Sequence, residues 1–294
     1  MDVLALALSA LLIALLVALA FVWAASSALV RRRTPDPEAD PASLGLPAEP
    51  VRFASRERTL TLHGWWVPAP DASGTVVVCS GQRGSMDADL HTFGPVLYAT
   101  GFNTLFFDWR AHGRSDGEHV TFGVYEKEDL LGALDYLAEA RGVARAGLLG
   151  LSMGAGVALI VAALTDRVGA VVCDSLPVHI QNTLAGHLTA RGVPRLLADA
   201  GARLVLVVAS FRIKGNLFHT DAWRWAAHIG NTPVLLIHGD RDPLVSVDEI
   251  EQVYDRLPGP KVLWRVPAAA HREAYTKRPD EYVRRVVDWF AQHL

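Results

Sequence analysis

The chain has 294 residues, 51% hydrophobic and 20% charged, enough to bury one sizeable core or two small ones. Its 28 Lys and Arg are interspersed with 31 Asp and Glu for a net charge of −3, and no basic face that would recruit nucleic acid is visible. The 2 cysteines, Cys79 and Cys173, each close an apolar run and read as buried thiols of a reducing or redox-indifferent setting. No CxxC or Cys/His cluster offers a zinc site.

From Val3 to Val30 no charged side chain interrupts a run of mostly Leu, Ala and Val. About 20 apolar residues cross a bilayer, so the run predicts a transmembrane helix. A cleaved signal peptide is the rival, but it would carry Lys or Arg ahead of a shorter apolar region, and here the one charged side chain ahead of the run is Asp2. Arg31-Arg32-Arg33 follows at once, and cationic flanks stay on the cytoplasmic side. The expectation is a single-pass protein with its N-terminus outside and the rest in the cytoplasm. Residues 31–50 form the linker, where "TPDPEADPASLGLPAEP" reads as a stiff, solvated spacer. The globular domain is expected over 51–294.

Within that domain, strands are predicted at Arg52–Leu60, Thr61–Val67 and Thr75–Cys79, a helix at Asp87–Thr100, and a strand at Phe102–Phe107. A helix over Tyr125–Arg141 precedes the strand Ala146–Gly150 and the helix Gly154–Leu164. Strands at Val168–Cys173, Val234–His238 and Lys261–Val266 follow, and an amphipathic helix over Glu281–Leu294 ends the chain. Short apolar strands alternating with helices predict an α/β fold, a mostly parallel central sheet with helices on both faces. Residues 176–231 show helical patches without a clear strand and sit where an inserted cap would fall. Within them "RLVLVVASFR" is too short to span a bilayer.

The turn between the strand Ala146–Gly150 and the next helix reads Gly-Leu-Ser-Met-Gly, with Ser152 at its centre. Strand, G-x-S-x-G, helix is the context in which a serine hydroxyl is lifted above a sheet edge, and the helix N-terminus points free N–H groups at the same spot. A phosphate loop would need Lys after its glycines, and none is here. A serine hydroxyl is a poor nucleophile until a base takes its proton, and that base needs an acid behind it. For the acid, "LLIHGDRDPLV" delivers Asp240 and Asp242 at a strand end. Asp242 is preferred because it lies further into a loop stiffened by Pro243, while Asp240 reads as a turn residue or a partner of Arg241. Of 11 histidines, His271 in "VPAAAHREAY" follows the last strand and is the expected base, with His112 as the fallback. His238 is expected to order the acid loop, and His293 to be solvated.

With these stretches in hand, "FFDWRAHGRSDG", "GLSMGAG", "LLIHGDRDPLV" and "AAAHREAY", the chain from about Val51 to Leu294 resembles the α/β-hydrolase superfamily. It is most similar to membrane-anchored serine hydrolases of the BEM46-like type. The resemblance implies Ser152 as nucleophile, Asp242 as acid and His271 as base. It departs from the family at the end of "TVVVC", where Ser80-Gly81-Gln82 replaces the usual His-Gly. The oxyanion hole would use the backbone N–H groups of Gln82 and Met153, which do not depend on side-chain identity. Arg83 is a candidate to meet an acidic head group, though a solvated loop residue is the simpler reading. Asp108 and Arg110 read as braces of a strand-end turn, and Trp223 and Trp225, with the apolar Leu204–Val208, as packing within the cap rather than an acyl channel or a surface dipping into a membrane.

The expected activity is hydrolysis of a carboxylic ester or thioester, lipid-like because of the anchor, through an acyl-enzyme and without metal or organic cofactor. A non-catalytic binding protein on the same fold, or an acyltransferase or peptidase using the same three residues, are the alternatives.

Overall fold

The computed structural model describes residues 3–35 and 37–294; Asp2 and Asp36, which entered the reading of the N-terminal flank and the linker, lie outside it. The apolar run forms one helix, α1 (Val3–Val30), the one helix among the described residues long and apolar enough to cross a membrane, a test that a signal sequence also passes. Residues 3–21 are exposed, and burial begins only at Val22.

The segment after α1 differs from a free spacer. Arg32 donates to the carbonyls of Gly117, Gly113 and Ser115 at 2.7, 2.9 and 2.7 Å. Arg33 donates to the Leu29 carbonyl at the end of α1 at 3.0 Å, and its own backbone N–H to Ala111. Further on, Ala39 and Leu46 are buried and Glu38 pairs with Arg114. The physical reason is that two small apolar side chains find a place in a core assembled elsewhere, and a few guanidinium bonds to loop carbonyls hold the approach.

The first strand, β1 (Glu49–Ala54), starts inside this segment and stops well short of Leu60, because the chain turns at Arg58 with φ 56°. The chain then forms β2 (Thr61–Val67), β3 (Gly74–Cys79), α2 (Met86–Ala99), β4 (Phe102–Phe107), α3 (Glu126–Arg141), β5 (Ala146–Leu151) and α4 (Met153–Ala162). It continues through β6 (Val168–Asp174), α5 (Ile180–Thr189), α6 (Arg195–Ile213), α7 (Ala222–Trp225), β7 (Val234–Gly239), α8 (Val247–Arg256), β8 (Lys261–Val266), α9 (Ala274–Lys277) and α10 (Pro279–His293). The strands form one 8-stranded sheet in the order β1-β2-β4-β3-β5-β6-β7-β8. β1 and β2 run antiparallel to their neighbours, and the other pairs are parallel.

Every residue of β5, β6 and β7 is buried, which is why these strands read as continuous apolar runs rather than alternating ones. On one face the core joins Leu130 of α3, Leu159 of α4 and Ile250 of α8; on the other it joins Leu90 of α2 with Tyr282 and Phe290 of α10. Between β6 and β7 the described residues hold helices and no strand.

The turn after β4 is braced by buried charge. Arg110 donates from Nε and Nη2 to both carboxylate oxygens of Asp129, whose side chain is 0% exposed, and reaches Glu57 at 2.8 Å. Asp108 accepts the backbone N–H groups of Met86 and Arg114 at 3.1 and 3.0 Å. Both residues therefore hold the turn, as their place in the sequence suggests.

Candidate active site

β5 ends in the turn that carries Ser152. Ser152 has φ 52° and ψ −116°, a conformation L-residues rarely adopt. The flanking glycines are what allow it. A Cβ on Gly154 would fall on the Cys79 carbonyl oxygen and 2.6 Å from the Ser80 carbonyl oxygen. One on Gly150 would sit 2.5 Å from the Ala155 Cα, so α4 could not start this close to β3 and β5. Little side chain surrounds Ser152 because the backbone itself fills the space.

Ser152 Oγ lies 2.8 Å from His271 Nε2, and His271 Nδ1 lies 2.7 Å from Asp242 Oδ2. The two loops that meet here leave the ends of β7 and β8. The Asp242 side chain is fully buried, and its other oxygen accepts the backbone N–H groups of Leu244 and Val245 at 2.8 and 3.2 Å. Fixed donors on one oxygen leave the other free for His271. Asp242 is thus held, and it in turn sets which ring nitrogen of His271 faces the serine.

The structure brings Ser152, Asp242 and His271 together, and neither His112, His238 nor His293 bonds to Ser152. His112 does not reach Ser152: its Nδ1 and Nε2 are 2.9 Å from the carbonyl oxygens of Arg110 and Gln82. It ties the strand-end turn to the loop after β3 instead. His238, expected to order the acid loop, is fully buried in β7 with neither ring nitrogen partnered among the described residues. Burial pushes its pKa down, which disfavours the imidazolium form. His293, expected to be solvated, is half-buried and packs edge-on against Trp289, with centroids 4.5 Å apart. Asp240 pairs with Arg265 at 2.8 Å rather than with Arg241.

Met153 opens α4, where a first-turn N–H has no partner within the helix. Gln82 lies in a tight turn closed by the Gly84 N–H on the Gly81 carbonyl at 3.1 Å, and with Met153 it lines a cavity that contains Ser152. Two clefts converge on Ser152. One is mainly apolar, with Phe122, Leu184 and Leu206 in its wall. The other carries the charged side chains of Arg83, Asp89 and Arg272, with His187, beside His271. Arg83 is exposed on this second cleft. Trp223 lies under Arg256 of α8, 3.9 Å from ring to guanidinium, and Trp225 donates to the His219 carbonyl, so both are engaged in packing contacts.

Sequence reasoning missed a brace beneath the site. The Ser152 N–H donates to the Asp174 carbonyl at 2.8 Å, and the Arg272 N–H donates to Ser175 Oγ at 2.9 Å. Ser175 Oγ donates in turn to Asp174 Oδ1, and the Tyr282 hydroxyl donates to Asp174 Oδ2 at 3.0 Å. One strand end therefore holds the serine turn and the residue after His271 at once. The polar pair at the end of the apolar strand β6 was the available signal.

The chain has the α/β-hydrolase fold, and residues 74–193 match the family described as alpha/beta hydrolase fold. Its structure is similar to an esterase of Pyrococcus furiosus, with a TM-score of 0.73, 25% identity, and coverage of 90% of this chain and 98% of that one. In sequence it is similar to the uncharacterized protein YqkD of Bacillus subtilis, 28% identical over 79% of this chain and 76% of that protein. It is also similar to a monoacylglycerol lipase of Mycolicibacterium smegmatis, 26% identical over 82% of this chain and 96% of the lipase.

Proposed function

We propose that the protein is a serine hydrolase that cleaves carboxylic esters through an acyl-enzyme. Ser152 Oγ attacks the carbonyl carbon while His271 Nε2 takes the hydroxyl proton. The tetrahedral oxyanion rests on the N–H groups of Gln82 and Met153. Collapse breaks the bond to the leaving oxygen, which receives the proton from His271 and departs as the alcohol. Water then adds to the acyl carbon, giving its proton to His271, and the carboxylic acid leaves as Ser152 is regenerated. Asp242 holds His271 and stabilises the imidazolium of both halves.

The observation that carries this reading is the unbroken chain of short contacts, Ser152 Oγ to His271 Nε2 at 2.8 Å and His271 Nδ1 to Asp242 Oδ2 at 2.7 Å. Similarity to an esterase and to a monoacylglycerol lipase supports ester chemistry. The test is turnover of p-nitrophenyl esters from acetate to dodecanoate by the full chain. Hydrolysis with a burst of p-nitrophenol equal to the enzyme present is expected; no turnover at any chain length refutes the assignment.

In this reading residues 3–30 are a retained membrane anchor, 31–50 connect it, and 51–294 form the hydrolase domain with a cap inserted at about 176–231. Arg31-Arg32-Arg33 beyond the anchor favours a cytoplasmic domain. A C-terminal fusion is expected to be active as a cytoplasmic reporter and silent as an exported one, and the reverse pattern would invert the topology.

A further inference from the structure

The apolar cleft at Ser152 has a wall that does not come from the hydrolase domain. Leu29, in the last turn of α1, lines it together with Phe122, Leu184 and Leu206. We propose that the end of the N-terminal helix completes the acyl pocket, and that esters with an apolar chain reach Ser152 from the bilayer that this helix crosses. This rests on the serine-hydrolase reading and adds what shapes the acyl site and where its substrate resides.

Four observations support it. First, Leu29 and Val30 pack in one cluster with Leu206, Ala209 and Ile213 of α6, so the helix end is part of a packed core. Second, that end is fastened. Arg212 donates to Ser26 Oγ at 2.9 Å and to the Trp23 carbonyl at 3.2 Å, with its guanidinium 3.7 Å from the Trp23 ring centroid. The Val30 carbonyl accepts the Val120 N–H at 2.9 Å, and the Leu29 carbonyl accepts from Gln82 Nε2 at 3.4 Å. The helix thereby touches the residue that also supplies an oxyanion N–H.

Third, the lengths agree. The exposed residues 3–21 of α1 rise about 28 Å at 1.5 Å each, close to the ~30 Å hydrocarbon core of a bilayer. Trp23 then falls at the membrane–water boundary, where its amphipathic ring is favoured, and Leu29 about 9 Å further on. Fourth, α6 presents Leu196, Leu197, Leu204, Val207 and Phe211 to the outside, at 82, 63, 56, 37 and 81% exposure. Their spacing places them on one side of the helix, an apolar stripe uncommon on a soluble surface. Phe211 directly precedes Arg212, the residue clasping α1, so the stripe is continuous with the membrane helix. The occupant of that stripe is the bilayer surface.

The experiment uses the full chain in phosphatidylcholine nanodiscs with p-nitrophenyl acetate and dodecanoate. Leu29→Trp, which fills the pocket, is expected to lower the dodecanoate-to-acetate ratio of kcat/KM at least tenfold, and Leu29→Ala to raise it. Phe211→Ser combined with Leu204→Ser is expected to slow dodecanoate turnover at least fivefold in nanodiscs relative to detergent micelles. A ratio unmoved by both Leu29 variants overturns the pocket assignment. Wild-type turnover in nanodiscs from the Leu204/Phe211 variant, or the break-up of a dimer in its place, overturns the bilayer assignment. Failure of the wild type to hydrolyse acetate is a separate outcome that ends the serine-hydrolase reading itself.

Discussion

Replacing Ser152 with alanine is expected to lower kcat/KM for an activated ester by roughly 10⁴–10⁶. His271→Ala should cost a similar factor, because without a base the hydroxyl 2.8 Å away keeps its proton. The double variant should be no slower than either single one, since the two side chains act as a unit. That non-additivity separates a catalytic pair from two independently useful residues. In the proposed mechanism the residual rate would come from the N–H groups of Gln82 and Met153, which neither substitution removes. Initial rates with p-nitrophenyl acetate, checked against an unchanged melting temperature, decide this. Multiplicative losses would mean that the contact between them is not used in the reaction.

The largest expected effect on stability lies away from the chemistry. Arg110→Met takes from Asp129 the side-chain donors that now bond both its oxygens, and the carboxylate is 0% exposed. Stranding one member of a buried pair costs about 3–5 kcal/mol, a melting-temperature drop of roughly 10 °C for a domain of this size. Arg110→Met with Asp129→Leu should recover much of the loss, because removing both charges removes the penalty. The single variant should also lose activity, since His112 ties the Arg110 carbonyl to the Gln82 carbonyl. Thermal melts of the wild type and the two variants test this. A single variant melting within about 2 °C of wild type would show that the pair contributes little.

The central sheet was legible because burial on both faces leaves a local mark. β3, β5, β6 and β7 are apolar runs bounded by turn residues, and no distant partner is needed to recognise them. The three residues that converge at the candidate site could be picked out for a related reason: each sits in the loop or turn after a strand, in the order this fold requires. What escaped the sequence depends on contacts between segments far apart in the chain. The proline-rich stretch after α1 has no periodicity of its own, yet Ala39 and Leu46 are buried and Arg32 holds three loop carbonyls. The brace of Asp174, Ser175 and Tyr282 joins residues 108 positions apart, and nothing near Tyr282 announces a carboxylate partner. Leu29 is ordinary within its apolar run, and only the packing of α1 on α6 brings it to the cleft.

Treating the full chain with a fluorophosphonate and locating the adduct by mass spectrometry probes the nucleophile most directly. The account predicts one modified side chain, Ser152, with no adduct in the Ser152→Ala protein and far slower labelling in His271→Ala. Modification of another serine at the wild-type rate, or labelling that ignores loss of the imidazole, would contradict it.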